Sequence, residues 1–577
     1  MSRDKDGPLA MQDSGFQEMH RPAHVTTRIK EQQRLASAGV RGRQPDKALL
    51  SFCASMEHLC SVVGPLLNHI NLSAVITATA QLWTSAQANS SFSANSTAFE
   101  LKRFCCNLFF QLEPMMSAVG ARQASNILWS SAKLGLHPDA FVPGMADALA
   151  AKLLQVTKEE ATRQPNAQED ANLLWALATL GHEPADKDLV EAICKHVARL
   201  IKQHDESKRP SLQNCANLLW ALATLGYELA DKGLIDVVCN HVARLIMHQD
   251  DSKRPNAQDC ANVLWALATL GHEPADHRFL DAMCHHFARL IRHHDPSNRP
   301  NEQGAANFLW ALATLGHEPT DKGLVDAVCK HFAMLIKHHD ALKRPFAQGI
   351  ANVMWALGEL NHAPPAGAAS AILERLTVLI GLPRQAPNAQ VLSNIFLACA
   401  VLRLPVNGHV GTALVDGLLS LDWSVVDKQA YCNAAWSLDV LDMLSVEIFS
   451  SLLERLQSSL VAEPANGVLK RQDLFQLYQA LDSLQPLSTA AAQQLQEMVT
   501  RLGPRPLPTE RSAAELSASK HLGAAIGQLG LAFTANVPLS GYWADAVLHP
   551  QDESVAPTVL VFYASGYNKN QDKRCVN

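Results

Sequence analysis

The sequence predicts an all-α fold, an α-solenoid of helical hairpins wound as a right-handed superhelix, closed by a small α/β module. Three observations predict it. First, the string Ala-Asn-x-x-Trp-Ala-Leu recurs, as ANLLWALATL at 171–180 and 216–225, ANVLWALATL at 261–270, ANFLWALATL at 306–315 and ANVMWALGEL at 351–360. The tryptophans Trp175, Trp220, Trp265, Trp310 and Trp355 stand 45 residues apart each time. A fixed period between 20 and 50 residues is the signature of a repeat array. Second, each unit holds two apolar patterns of helical period, parted by a Gly-containing turn. Third, after a Pro-rich stretch near residue 504 the period changes to short, strand-like runs. Arrays of this kind build extended binding surfaces and seldom a deep catalytic pocket.

Residues 1–47 are polar, mixed in charge and poor in large apolar residues, so they are expected to be disordered. They contain no apolar stretch of a secretory signal. The array then occupies 48–500, with its regular part at 121–360 and looser copies before and after, including Asn126 with Trp129 and Asn433 with Trp436. In the last copy Tyr478 is placed at the Trp position.

One unit shows the logic. In 165–209, Asn166 is the expected N-cap of a first helix, with Glu169 as its capping-box partner. Apolar positions nearly encircle this helix, which reads as buried on most sides, with Trp175 in the core. Gly181 stands where a left-handed C-cap belongs. The second helix carries one stripe, Leu189, Val190, Ile193, Val197, Leu200 and Ile201, opposite a solvated face. Such a unit cannot bury its apolar surface alone and must stack.

Composition narrows the function. The net charge of −6 gives no global nucleic-acid signal. Of 24 His, 16 lie between His182 and His362, so the central array becomes more positive as pH falls toward 6. The 13 Cys include no C-x-x-C pair, which fits reduced thiols in a cytosol-like compartment. No apolar run reaches the ~18 residues of a membrane span. Cys-x-His recurs, as in Cys194 and His196, but residues two apart on a helix point ~200° from each other, so one helix cannot chelate with both. No metal, cofactor, catalytic group or small-molecule substrate is expected.

Gln168, Asn172 and Thr179 lie on one line of the first helix. Gln213 and Asn217, Gln258 and Asn262, Gln303 and Asn307, and Gln348 and Asn352 repeat it. These amides either tie adjacent repeats together or hold a repetitive ligand backbone. Being uniform, they cannot encode sequence. The position after each Gln does vary: Glu169, Asn214, Asp259, Gly304 and Gly349, with Asp170 the next residue in the first unit. One varying position per repeat is how one-base-per-repeat RNA readers discriminate. A second set of backbone contacts comes from the loop pairs Lys208-Arg209, Lys253-Arg254 and Lys343-Arg344. The second helices add a His-rich basic face, for example His196, Arg199 and Lys202, or His241 and Arg244.

The motif A-N-x-x-W-A-L-A-x-L-G resembles the octotricopeptide repeat, a helical-hairpin repeat of organellar RNA factors that also occurs in bacteria living in eukaryotic hosts. The match covers 121–360 well and the flanks weakly. Armadillo-type repeats are a second resemblance, in which an inner-helix Asn holds an extended peptide. After the linker 501–512, the module 513–577 has a helix near 511–529 and strand candidates at 531–537, 542–548 and 557–563. GLAFTANVPLSGYWADAVL resembles the opening of a RAP domain, in which Asp545 would be the first metal-binding carboxylate. The following strand has no acidic residue followed by Lys, so the module reads as degenerate and truncated rather than as a nuclease. The resemblance implies single-stranded RNA as partner, bound on a concave face for RNA processing, stability or translation, with an extended peptide on an armadillo-like scaffold as the alternative. It also implies a cytoplasmic protein, or one secreted into a host cell without a Sec signal as a bacterial effector.

Overall fold

The computed structural model describes residues 22–505 apart from short stretches, together with 526, 532–539, 542–548 and 558–560. The chain forms two compact units, Met1–Arg299 and Pro300–Asn577.

The first unit contains α1 (Pro22–Val40), α2 (Pro45–Val63), α3 (His69–Gln87), α4 (Ala94–Leu112), α5 (Ala121–Leu134), α6 (Met145–Lys158), α7 (Ala167–Leu180), α8 (Asp188–Lys202), α9 (Leu212–Thr224), α10 (Gly233–Ile246), α11 (Ala257–Thr269) and α12 (Arg278–Ile291). They pair as hairpins. The first helices of successive hairpins, α1, α3, α5, α7, α9 and α11, lie side by side as one layer. The second helices α6, α8, α10 and α12 form another. The core runs between the layers. Leu173, Leu174 and Leu177 of α7 meet it from one side, and Val190, Ile193, Val197 and Ile201 of α8 from the other.

The second unit contains α13 (Glu302–Leu315), α14 (Leu324–Ile336), α15 (Ala347–Glu359), α16 (Ala366–Ile380), α17 (Ala389–Val401), α18 (Gly408–Ser420), α19 (Lys428–Val440), α20 (Val446–Ala462), α21 (Arg471–Ser483) and α22 (Thr489–Leu502). The same two layers form, with α13, α15, α17, α19 and α21 in the first. Beyond them lie β1 (Phe533–Leu539), β2 (Tyr542–Leu548) and β3 (Thr558–Leu560). They make an antiparallel sheet in the order β1-β2-β3, with Phe533 opposite Leu548 and Leu548 opposite Thr558. β2 coincides with the expected 542–548, β1 is displaced by two residues from the expected 531–537, and β3 covers part of the expected 557–563. The helix expected near 511–529 lies outside the described residues except Ile526. Among the described residues no helix is long and apolar enough to cross a membrane.

Hairpin geometry follows from the caps. The Asn166 side chain accepts from the amides of Gln168 and Glu169 at 3.0 and 2.9 Å, and Glu169 accepts from the Asn166 amide at 3.3 Å. Each first helix of the regular part ends in a left-handed residue: Gly135, Gly181, Gly226 and Gly271 in the first unit, Gly316 in the second. Where Gly is lost the conformation stays, at Asn361, Arg403 and Asp442 with φ of 47°, 49° and 55°. The chain must reverse there, so the slot survives a residue poorly suited to it.

Polar ties then fix one hairpin against the next. His182 donates to Asp147 at 3.1 Å, and the Ala185 amide donates to the same carboxylate oxygen at 2.9 Å. His272 repeats this on Asp236, and His362 donates to Asp326 in the second unit.

Two expectations are corrected. Residues 22–47 are not disordered: Val25, Ile29 and Val40 of α1 are fully buried against α2 and α3. Asn71 also donates to the Pro22 carbonyl and to Thr26. Three apolar residues at helical spacing suffice here because a neighbouring hairpin supplies the rest of the core. Residues 1–21 lie outside the described residues. In the last hairpin Tyr478 is buried, and Gln479, not Tyr478, faces Trp436 across the layer.

Candidate binding surface on the first helices

Each first helix of the regular part leaves one stripe uncovered. In α7 it runs through Gln168, Asn172, Trp175 and Thr179, at i, i+4, i+7 and i+11, with Gln168 and Thr179 exposed and Asn172 and Trp175 half-buried. This corrects the placement of Trp175 in the core. The indole stands on the same stripe as the amides, and the apolar encirclement of the helix is broken along this line. The sequence held the signal: Trp175 is three residues beyond Asn172, and residues three and four apart share a helix face.

The tryptophans meet their neighbours across repeats. Trp175 and Trp220 have ring centroids 6.3 Å apart, Trp220 and Trp265 6.4 Å, with interplanar angles of 34° and 31°. In the second unit Trp310 and Trp355 stand 6.2 Å apart at 36°. Each unit thus carries an aromatic ridge along its first-helix layer. Tilted pairs at such distances are attractive, so the ridge is pre-ordered.

Amides flank it. Gln258 donates to Asn262 at 2.9 Å, Gln348 to Asn352 at 2.9 Å and Gln390 to Asn394 at 3.2 Å. These bonds stay within one helix. They do not tie adjacent repeats, and they leave each Asn Nδ2 and each Gln Oε1 facing outward. Gln213, Asn217, Gln303 and Asn307 hold the same stripe positions in α9 and α13. The stripe closes only at the end of the array. There Asn433 and Trp436 are buried, Gln476 donates to Asn433 at 3.1 Å and Trp436 donates to Gln479 at 2.9 Å.

The variable positions sit elsewhere. They are the third residues of the first helices, where side chains serve the caps. Glu169 completes the Asn166 box, and Asn214 accepts from the Ser211 amide at 3.0 Å. Asp259 is buried, and burial pushes its carboxyl up to about 6, partly opposed by its bond to the Asn256 cap. Gly304 is buried, and a Cβ at Gly349 would stand 2.6 Å from a Glu302 carboxylate oxygen. Asp170 is fully buried, its carboxylate 2.7 Å from His196 Nδ1, and burial raises its pKa. Asp170, Asp259 and Gly304 are therefore placed inside the repeat, where a ligand does not reach them. At Glu169 and Asn214 the side chain closes a capping box, whereas Gly304 and Gly349 have no side chain to do so.

The loop arginines are likewise occupied. Arg209 donates through Nε and Nη2 to the Gln203 carbonyl and pairs with Glu206. Arg344 donates to the His338 carbonyl at 2.7 Å. They cap the end of the second helix, an arrangement that uses the Arg fork and positions the next Pro. Arg254 stands in the equivalent loop and Lys208 is exposed. Lys253 and Lys343 lie outside the described residues.

The His-rich face is also corrected. His196, His241, His286 and His331 are buried. His241, His286 and His331 donate through Nε2 to the carbonyls of Pro210, Pro255 and Pro300 at 2.7–2.8 Å. Arg375 takes over on Pro345. These side chains lock each second helix to the start of its own repeat. Burial lowers the His241 pKa, as do Arg244 and Arg209, against the opposing effect of the Pro210 bond.

No protein-family model matches the sequence, and no curated protein is similar to it. Among solved structures the chain is similar to an engineered protein, at 15% identity and a TM-score of 0.31, over 76% of this chain and 99% of that one. It is similar to SYS-1 at 12% identity and 0.24, over 82% and 99%. It is also similar to the pentatricopeptide repeat protein PPR10 in complex with an 18-nt psaJ RNA element, at 12% identity and 0.26, over 81% and 74%.

Proposed function

We propose that this chain is a non-catalytic helical-repeat protein that holds single-stranded RNA along the uncovered stripe of its first helices. The observation that carries the proposal is the pre-ordered ridge of half-buried tryptophans, flanked in each repeat by carboxamides with unused donors and acceptors. Aromatic faces stack on any base, and each such contact contributes about 1–3 kcal/mol. Amides read base edges and the 2′-hydroxyl. Uniform residues in successive repeats suit a ligand that itself repeats, one nucleotide after another. The terminal sheet, in this reading, belongs to a degenerate RAP-like module, and the protein acts on RNA processing, stability or translation.

A second reading is favoured by one observation. The stripe from Gln168 to Thr179 and its copies in α9, α11 and α13 carry no charge, which suits an extended peptide backbone. Binding of fluorescein-labelled single-stranded RNA, followed by anisotropy between 50 and 200 mM KCl, tests the choice. RNA binding is expected, weakened in Trp175→Ala and Trp220→Ala by about 5-fold or more, from the stacking energies above. Wild-type affinity no better than that of a control protein at 50 mM salt sinks the RNA reading.

A further inference from the structure

Among α5, α7, α9 and α11 of the first unit the stripe has one charged segment, while in α15 of the second unit Glu359 stands at the Thr position. In α5 the Gln-Asn-Trp-Thr order becomes Arg122, Asn126, Trp129 and Lys133. Arg122 is exposed and Asn126 and Trp129 are half-buried, as are their equivalents Gln168, Asn172 and Trp175 in α7, whereas Lys133 is half-buried where Thr179 is exposed. The register is set by Asn126 and Trp129, which stand three apart as Asn172 and Trp175 do.

Lys133 does not point away from this surface. Its ammonium lies 4.5 Å from the centroid of Trp175 and 5.8 Å from that of Trp129. It bridges the first two indoles of the ridge. No carboxylate pairs with it among the described residues, and partial burial lowers its pKa. A desolvated cation without an anion is costly to maintain, and the indole faces offset only part of that cost. Elsewhere in this unit the equivalent position is Thr179, Thr224 or Thr269, whose hydroxyl makes no such demand.

We infer that Lys133, with Arg122 at the other edge of the stripe, is an anion anchor that takes a backbone phosphate of the bound strand and fixes its register at the α5–α7 end. This rests on the RNA reading above and deepens it. The uniform repeats offer every nucleotide the same contacts, so a strand could slide by one repeat at little cost. A cationic end removes that degeneracy: only one register places a phosphate beside Lys133 while the bases lie on the Trp ridge. The anchor is a positioning group and confers no base preference.

The test uses the full chain and a labelled 20-nucleotide oligo(U), with Lys133→Met and Lys133→Arg. Methionine keeps an apolar stem over both rings without the charge. For a single strand each neutralised phosphate contributes about 0.7 to the slope of log affinity against log salt. Lys133→Met should therefore flatten the slope by about 0.7, so that its deficit shrinks by roughly 2.6-fold between 50 and 200 mM salt. Lys133→Arg should keep the wild-type slope. An unchanged slope in Lys133→Met overturns the anchor while leaving RNA binding intact. Equal loss in both variants with no slope change shows a structural role and also overturns it. If wild type binds no oligo(U) but binds an acidic oligopeptide in a Lys133-dependent way, the RNA reading fails instead, and the phosphate assignment with it.

Discussion

Asp259 offers a stability experiment whose size can be worked from the structure. The side chain sits at the third position of α11, 9% exposed. Burial holds its carboxyl at about 6, against an ordinary 3.8, with only the Asn256 cap opposing. The shift of roughly 2 pH units corresponds to about 3 kcal/mol at 1.36 kcal/mol per unit. Its sign follows from linkage. Between pH 3.8 and 6 the native state binds this proton and the unfolded chain does not, so stability is greatest below pH 3.8 and falls as pH rises through 6. At pH 7 the full penalty is present. Asp259→Asn removes it without changing shape, and Asn214 already occupies the same position in α9. The variant should equal wild type near pH 3.5 and exceed it by about 3 kcal/mol at pH 7. Urea unfolding at several pH values, read by the difference in midpoints, measures this. A difference independent of pH refutes the reasoning, because a merely better helix cap would act equally at every pH.

Other outcomes follow from the same contacts. His241→Ala strips the Pro210 carbonyl of its donor and should cost about 1–3 kcal/mol in urea unfolding, the penalty of an unpaired buried acceptor. Arg403→Gly should stabilise the second unit by about 1 kcal/mol, since Arg at a φ of 49° carries left-handed strain; thermal unfolding checks it. Trp220→Ala breaks two ring contacts, at 6.3 and 6.4 Å, and should cost about 1–3 kcal/mol from the pair energies alone. It should also shift the exciton signal of the remaining indoles in near-UV circular dichroism.

The fold was legible because its signals are local and repeated. The 45-residue period, the Asn166–Glu169 box and the Gly181 turn are all encoded within a few residues, and the structure realises each of them. The position of β2 was legible for the same reason. The site was legible in part. The Gln–Asn line is where the spacing put it, on a helix face open to solvent. What misled was residue type. A conserved-looking Trp among leucines reads as core, and only its angular position beside Asn172 shows otherwise. Varying residues read as specificity, yet Glu169 and Asn214 are engaged in capping boxes and Asp259 is buried. Histidines on a basic helix read as solvated, yet His241 finds a carbonyl 31 residues upstream in sequence, a contact no local pattern reports. Lys133 was missed because its copy is degenerate, and it becomes visible only once Trp129 is set in register with Trp175.

The cysteines turn the repeat architecture into something measurable. Cys194, Cys239 and Cys284 occupy the same position in α8, α10 and α12, and Cys329 occupies it in α14. Burial pushes each thiol up to about 12, with nearby carboxylates such as Glu191, Asp236, Asp281 and Asp326 adding to the shift. At pH 8 about one in ten thousand of such groups is a thiolate, so none reacts from the closed state at an appreciable rate. Labelling by a thiol reagent must therefore await opening of that repeat. Cys106 is only half-buried and should react first among the described cysteines. In single-cysteine variants the four sites should then report opening energies that depend on the neighbours of each repeat, because a stack is stabilised by interfaces as much as by its own hairpins. Disrupting α9 by Leu219→Ala should speed labelling at Cys194 and Cys239 far more than at Cys284. Equal acceleration at all three would mean that the first unit opens as one body, and that its hairpins do not act as semi-independent repeats.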